Sequence, residues 1–91
     1  MAAIFKYLET TANVKVGIGK LKGVFVSAGT NPTVAIYDSA DTGTGNPIVA
    51  QFTPAAPGNY VFTGDEGGVG FSNGLYVVLG GTGPKVTVFY E

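Results

Sequence analysis

Residues 71–91 read FSNGLYVVLGGTGPKVTVFYE and carry the clearest strand pattern in the chain. Two runs rich in valine and aromatic residues, at 75–79 and 85–90, flank a glycine-rich segment at 80–84. β-Branched and aromatic side chains suit a pleated, half-buried surface, and glycine supplies the positive φ angles that a chain reversal needs. The stretch therefore predicts a β-hairpin.

Alternation along the run at 85–90 predicts which of its side chains are buried. Val86 and Val88 fall on one face of a strand and Thr87 and Phe89 on the other, because successive side chains point to opposite faces. The pair Asn73-Gly74 is a second tight-turn signal. It predicts that residues 68–72 join the hairpin as a third strand.

The rest of the chain extends this pattern without any helical period. Further strands are predicted at 14–18, 21–28, 33–38, 48–52 and 59–63. About eight short strands separated by turn residues are typical of an all-β fold, here an antiparallel β-sandwich of jelly-roll type. Residues 13–91 are expected to form this single domain, and residues 1–12 an N-terminal arm or a short edge strand. The residues predicted to face the core are Val14, Val16, Val24, Val26, Val34, Ile36, Val86 and Val88.

Composition argues against several classes of function. The 91 residues include no histidine and no cysteine, so the commonest general base, nucleophiles and metal ligands are missing and no disulfide can form. The five cations are all lysines and the net charge is −1, which argues against nucleic acid as a partner. No apolar run is long enough to span a membrane. We predict neither an enzyme nor a bound cofactor nor a membrane association.

One polar loop has a spacing that could suit an ion. Asp38, Asp41 and Asn46 flank the segment Thr42-Gly43-Thr44-Gly45, and calcium takes 6–8 oxygen ligands in flexible geometry. The spacing matches no standard calcium loop, and Asp and Asn also form turns through hydrogen bonds from their side chains to the backbone. We predict no metal site, while calcium binding by the loop at 38–46 stays an open alternative.

Aromatic residues outside the predicted core are the candidate binding surface. They fall on the outer strand faces or in the N-terminal segment, and aromatic side chains anchor protein interfaces and stack on sugars. A second buried face would explain some of them equally well. The candidate interface residues are Phe5, Tyr7, Phe25, Tyr37, Tyr76 and Phe89.

Low charge supports association with other protein surfaces. Charged residues make up 12% of the chain, about half of the usual share. A short chain without disulfides also gains stability by associating. We therefore predict a homo-oligomer, with the N-terminal arm crossing to a neighbouring subunit.

Four segments together resemble a group of small proteins encoded by tailed bacteriophages. They are KLKGVFVSAG at 20–29, TVAIYD at 33–38, FSNGLYVV at 71–78 and KVTVFY at 85–90. The resemblance covers roughly residues 14–91, and its motifs are turns and strands rather than functional residues.

This resemblance implies a role in the virion. The chain resembles virion structural proteins. Among these are capsid decoration (cement) proteins, which bind the outer surface of the assembled capsid and stabilise it. The resemblance implies the major capsid protein as partner, a trimer at threefold positions, and a location on the capsid surface after synthesis in the host bacterial cytoplasm. The alternative is a carbohydrate- or receptor-binding module of a head or tail fibre, with Tyr60 and Tyr76 as stacking residues.

Overall fold

The computed structural model describes residues 4–54, 58–61 and 68–91. In these ranges it has seven β-strands and no helix. Every strand pair is antiparallel and all belong to one sheet. The strands are β1 (Ile4–Leu8), β2 (Ala12–Val16), β3 (Gly19–Tyr37), β4 (Pro47–Phe52), β5 (Gly58–Val61), β6 (Val69–Phe71) and β7 (Gly74–Tyr90).

Two long strands form the middle of the sheet. β3 pairs with β7 from Leu21↔Tyr90 to Tyr37↔Tyr76. β1 and β2 follow one another along the other side of β7, while β4, β5 and β6 line the other side of β3. The prediction of an all-β, antiparallel fold is confirmed. The finer prediction, a jelly-roll sandwich, is not confirmed by this single sheet and stays a prediction.

Both long strands bend sharply near their middles. A straight strand of 19 residues would span roughly 60 Å at about 3.3 Å per residue, yet the longest dimension of the protein is 32 Å. The β3–β7 register shifts repeatedly between Val26 and Thr33. At this bend Asn31 has a φ of 49° and Gly81 a φ of 89°, backbone conformations that break the regular ladder.

The bend brings the two ends of β7 towards one short segment. The backbone N–H of Gly17 donates to the carbonyl oxygen of Asn73 at 2.9 Å, just before β7 begins. The N–H of Lys20 donates to the carbonyl oxygen of Glu91 at 3.0 Å, just after β7 ends. Residues 17–20 therefore connect the beginning and the end of the same strand.

The predicted hairpin at 75–90 is wrong. The runs at 75–79 and 85–90 are two parts of β7, and each pairs with β3 instead of with the other run. Residues 68–72 do not join it either, because β6 pairs with Gly19–Leu21 of β3. The glycine-rich segment at 80–84 supplies the bend of a continuous strand, and the segment at 28–32 does the same in β3.

One hydrophobic core receives side chains from both parts of the long strands. Val24, Val26 and Val88 come from one part and Val34 and Ile36 from the other, and all are fully buried. The other buried members are Leu8, Leu21, Phe71, Leu75, Val77 and Val86. The core prediction is thus confirmed for six of its residues, and Val14 packs against the same core while half-buried.

Val16 is the exception among the predicted core residues, and its assignment is wrong. Its side chain is 70% exposed. The β2–β7 register shifts between Asn13 and Lys15, so the alternation that buries Val14 does not continue to the end of the strand.

The N-terminal segment lies along its own sheet. β1 pairs with β7 over five residues, from Ile4↔Tyr90 to Leu8↔Val86. Leu8 is buried in the core at the end of this strand. Residues 4–8 therefore form an edge strand of their own chain, and the crossing of the N-terminal segment to a neighbouring subunit stays a prediction.

Candidate functional site

Four of the six predicted interface residues lie together on one side of the sheet. Two rows of side chains cross the strands β1, β7, β3 and β5 in that order. The first row is Phe5, Phe89, Gly23 and Val61, and the second is Tyr7, Thr87, Phe25 and Asn59. We name the apolar residues of these rows, which are Phe5, Tyr7, Phe25, Val61 and Phe89, the outer aromatic face.

The outer aromatic face is open to solvent. The exposed fractions are 68% for Phe5, 47% for Tyr7, 65% for Val61 and 36% for both Phe25 and Phe89. The opposite side of the same strands carries the fully buried Val24, Val26, Val86 and Val88. The face is thus an apolar surface on the side of the sheet that the core does not use.

Charged pairs lie at both ends of the outer aromatic face. At one end Lys85 Nζ lies 3.5 Å from Glu9 Oε2, and at the other Lys22 Nζ lies 3.3 Å from Glu91 Oε2. The Tyr7 hydroxyl donates a hydrogen bond of 2.7 Å to Glu9. This bond is the main reason why the pKa of Tyr7 is raised above 10.0 and the pKa of Glu9 lowered below 4.5. An apolar centre with a charged rim is the arrangement found in protein–protein interfaces.

The other two predicted interface residues lie elsewhere. Tyr37 and Tyr76 are opposite one another in the β3–β7 ladder, and their ring centroids are 6.1 Å apart. Both are half-buried. The structure therefore separates this tyrosine pair from the outer aromatic face.

Sequence reasoning missed one member of the face and a second apolar surface. Val61 was assigned no role. The ring of Tyr60 packs against the core, so alternation along β5 places the neighbouring Val61 on the outer face of the sheet. Ile18, in the bend between β2 and β3, is 77% exposed, and Val16, two residues earlier, is 70% exposed. We name Val16 and Ile18 the apolar tip. Ile18 and Phe71 also line a notch of about 400 Å³.

Apolar residues on both sides of the glycine in a bend are a signal that the sequence offered. Turns are usually made of glycine, proline and short polar residues, whereas Gly17 here stands between valine and isoleucine. The prediction of an amphipathic strand over 14–18 hid this signal, because it placed these side chains on a strand.

The carboxylate of Asp38 holds the turn between β6 and β7. It accepts backbone N–H donors from Asn73 at 2.7 Å, from Ser72 at 3.1 Å and from Gly74 at 3.3 Å. The bond from Asn73 is the main reason why the pKa of Asp38 lies below 3.8. Asp38 is therefore a structural residue that fixes the start of β7.

Asp41 is likewise used within its own loop. Its carboxylate accepts hydrogen bonds of 2.9 Å from the Gly43 N–H and from the Ser39 hydroxyl. The bond from Gly43 is the main reason why its pKa lies below 3.8. The hydrogen bonds of both carboxylates fit the turn interpretation of this loop. Across residues 4–54, 58–61 and 68–91, no group of three acidic side chains is placed to hold a metal ion.

Comparisons with known proteins add no family to this description. The chain matches no protein-family model. No match was found among curated proteins or solved structures. In the part of the chain that the structure describes, no helix is long and apolar enough to cross a membrane. The outer aromatic face and the apolar tip are exposed apolar surfaces of the described residues.

Proposed function

We propose that this protein is a structural component of a bacteriophage virion, most specifically a decoration protein that binds the outer surface of the capsid and stabilises it. The observation that supports this proposal is the presence of two separate apolar surfaces on one small domain, the outer aromatic face and the apolar tip. A jelly-roll class for the domain and a location on the capsid surface belong to the same proposal.

Two apolar surfaces suit a protein that works inside an assembly. Monomeric soluble proteins rarely expose large contiguous apolar patches, and such patches usually mark contacts. Along the chain, Ile18 of the apolar tip is separated from Phe25 by two cations of β3, Lys20 and Lys22. One surface can therefore join copies of the chain while the other binds the capsid.

The sugar- or receptor-binding alternative has weaker support. Tyr76 packs on Tyr37, and Tyr60 packs edge-on against Phe52 with ring centroids 5.4 Å apart. A ring that already contacts another ring has less free surface for a sugar to stack on. Both tyrosines are half-buried.

Quantitative mass spectrometry of purified virions of the encoding phage tests the proposal. A decoration protein is expected at a copy number comparable with that of the major capsid protein, and a fibre module at far fewer copies. Absence of the chain from washed virions would overturn the virion proposal, and a low copy number would favour the fibre alternative.

A binding experiment then tests the apolar tip. Capsids lacking the protein are mixed with the purified wild-type chain or with Ile18→Lys, and bound protein is measured after sedimentation of the capsids. Ile18→Lys is expected to lose most of the binding, because a charge would replace an exposed apolar contact. Thr44→Lys, in the exposed loop at 38–46, is the matched control and should bind like the wild type.

A further inference from the structure

We propose that the outer aromatic face binds a second copy of this chain, face to face, around a twofold axis. This inference rests on the proposal that the face is an interface, but not on the virion role, and it names the partner. A twofold interface uses the same patch on both subunits, so the patch must be complementary to itself. The two rows of the outer aromatic face have this property.

The rows match when one copy is turned over the other. We place the twofold axis in the plane of the interface, parallel to the two rows and midway between them, so that it runs perpendicular to the strands. Rotation by half a turn about this axis places each strand over the same strand of the other copy and exchanges the two rows. The first row of one copy then lies over the second row of the other. Phe89 lies over Thr87 of the second copy, and Gly23 lies under Phe25 of the second copy. Large side chains thus meet small ones at the two central strands, as close packing requires.

The same rotation brings opposite charges together. Lys85 of β7 and Glu91, which directly follows β7, lie three residues to either side of Val88 and so at about equal distances from this axis. Both belong to the outward alternation that includes Thr87 and Phe89. Lys85 of one copy therefore lies over Glu91 of the other, twice in the pair. The chain has a net charge of −1, so repulsion between copies is small.

The exposed area is sufficient for a specific pair. The outer aromatic face exposes roughly 450 Å² of apolar surface per copy. This area follows from the exposed fractions of its five apolar residues and from about 150–250 Å² for a whole aromatic side chain. Two copies would bury about 900 Å² from these side chains, and Thr87, Asn59 and the charged rims bring the total above the 1,000 Å² or so that a specific interface needs.

Pairing through the edge of the sheet is disfavoured at β1. Lys6 lies on the core side of this edge strand, opposite Val88 in the β1–β7 register, and its side chain is exposed. A charge on the inner side of an edge strand hinders the addition of another strand. The outer aromatic face has no such charge at its centre, so it suits a second copy better than the β1 edge does.

Sedimentation equilibrium of the purified chain, from 1 to 200 µM, tests this inference. The wild type is expected to dimerise. Phe5→Lys and Val61→Lys lie at opposite edges of the face, and each should raise the dimer dissociation constant about 100-fold or more because every dimer carries the change twice. Ile18→Lys, on the apolar tip, is the control and should dimerise like the wild type. Circular dichroism shows that each variant is folded, and Phe5→Ser and Val61→Ser replace any variant that is not.

A charge exchange tests the position of the axis. Lys85→Glu and Glu91→Lys should each weaken the dimer about tenfold, and the double variant should recover most of the loss. The double variant still lacks both ion pairs within the chain, Lys85–Glu9 and Lys22–Glu91. Recovery can therefore come only from pairs between copies, and its absence would overturn this axis.

Three results would overturn the inference as a whole. They are a wild-type monomer at 200 µM, a dimer that Phe5→Lys and Val61→Lys leave unchanged, and the trimer that the phage resemblance implies. Each is independent of the virion experiment. A monomer found in virions would overturn the dimer alone, and a dimer absent from virions would overturn the virion role alone.

Discussion

Replacing Gly74 with alanine is expected to destabilise the fold strongly. Gly74 begins β7 and is buried. An added Cβ would lie 2.6 Å from the carbonyl oxygen of Lys15 and 2.9 Å from the Cα of Ala40, and it would also collide with the carbonyl oxygen of Ser39. Real Cβ atoms essentially never approach closer than 3.0 Å. All three obstacles are backbone atoms, so no side chain can rotate away to make room.

The size of the effect follows from this crowding. Overpacking a core usually costs about 1–3 kcal/mol, and a collision with two separate backbone segments, at Lys15 and at 39–40, places Gly74→Ala near 3 kcal/mol. A 91-residue domain has a total stability of about 5–14 kcal/mol. For a domain of this size, such a loss lowers the midpoint of thermal unfolding by about 12–24 °C.

Gly70→Ala is the matched control for this experiment. Gly70 lies on β6, close along the chain, and an added Cβ there meets nothing within 4 Å. The control should be as stable as the wild type or more stable by about 0.5–1 kcal/mol, because alanine loses less backbone entropy on folding. Urea unfolding followed by circular dichroism measures both. A Gly74→Ala variant within about 0.5 kcal/mol of Gly70→Ala would refute the reasoning.

Three further predictions concern the core and the loop at 38–46. Val88→Ala should cost about 1–3 kcal/mol through lost burial and a residual cavity; an unchanged urea midpoint would mean that Val88 is not in the core. Asp38→Asn should lower the free energy of unfolding by about 1 kcal/mol at pH 7, because it removes charged hydrogen bonds to the backbone. The loss is small because the site is exposed to solvent. The folded-state pKa of Asp38 is lowered, so the wild-type advantage should shrink as the pH falls below 3.8; a gap that stays constant down to pH 2 would contradict this role. Millimolar calcium should leave the melting temperature unchanged relative to chelator, because Asp38 and Asp41 already accept backbone donors; a clear increase would restore the calcium alternative.

Local patterns predicted which side chains are buried but not how the strands connect. Alternation identified Val24, Val26, Val86 and Val88 because the period of two depends only on neighbouring residues. The segments at 28–32 and 80–84 were interpreted as reversals, whereas the structure uses them as bends. Positive φ angles at glycine serve both purposes. Which one occurs depends on whether the flanking runs pair with each other or with a distant strand.

For the outer aromatic face, too, local patterns predicted the positions of single side chains but not how the strands bring them together. Alternation placed Phe25 and Phe89 outside the core. Their assembly with Phe5 into one face depends on the order β1, β7, β3, which joins residues far apart in the sequence. Alternation alone also failed at Val16. A single register shift next to Lys15 exposes this residue, which the local pattern would bury.

The central position of β7 has a consequence for how the protein is made. Within the described residues β1 and β2 pair with β7 alone, and β7 is synthesised after every other described strand. While the ribosome is still translating residues 74–90, the first two strands have no partner. Contacts between such distant residues also form slowly. We expect a nascent chain that completes its fold only after β7 has left the exit tunnel, and that until then depends on Lys6 and Lys15 to keep its early strands from aggregating.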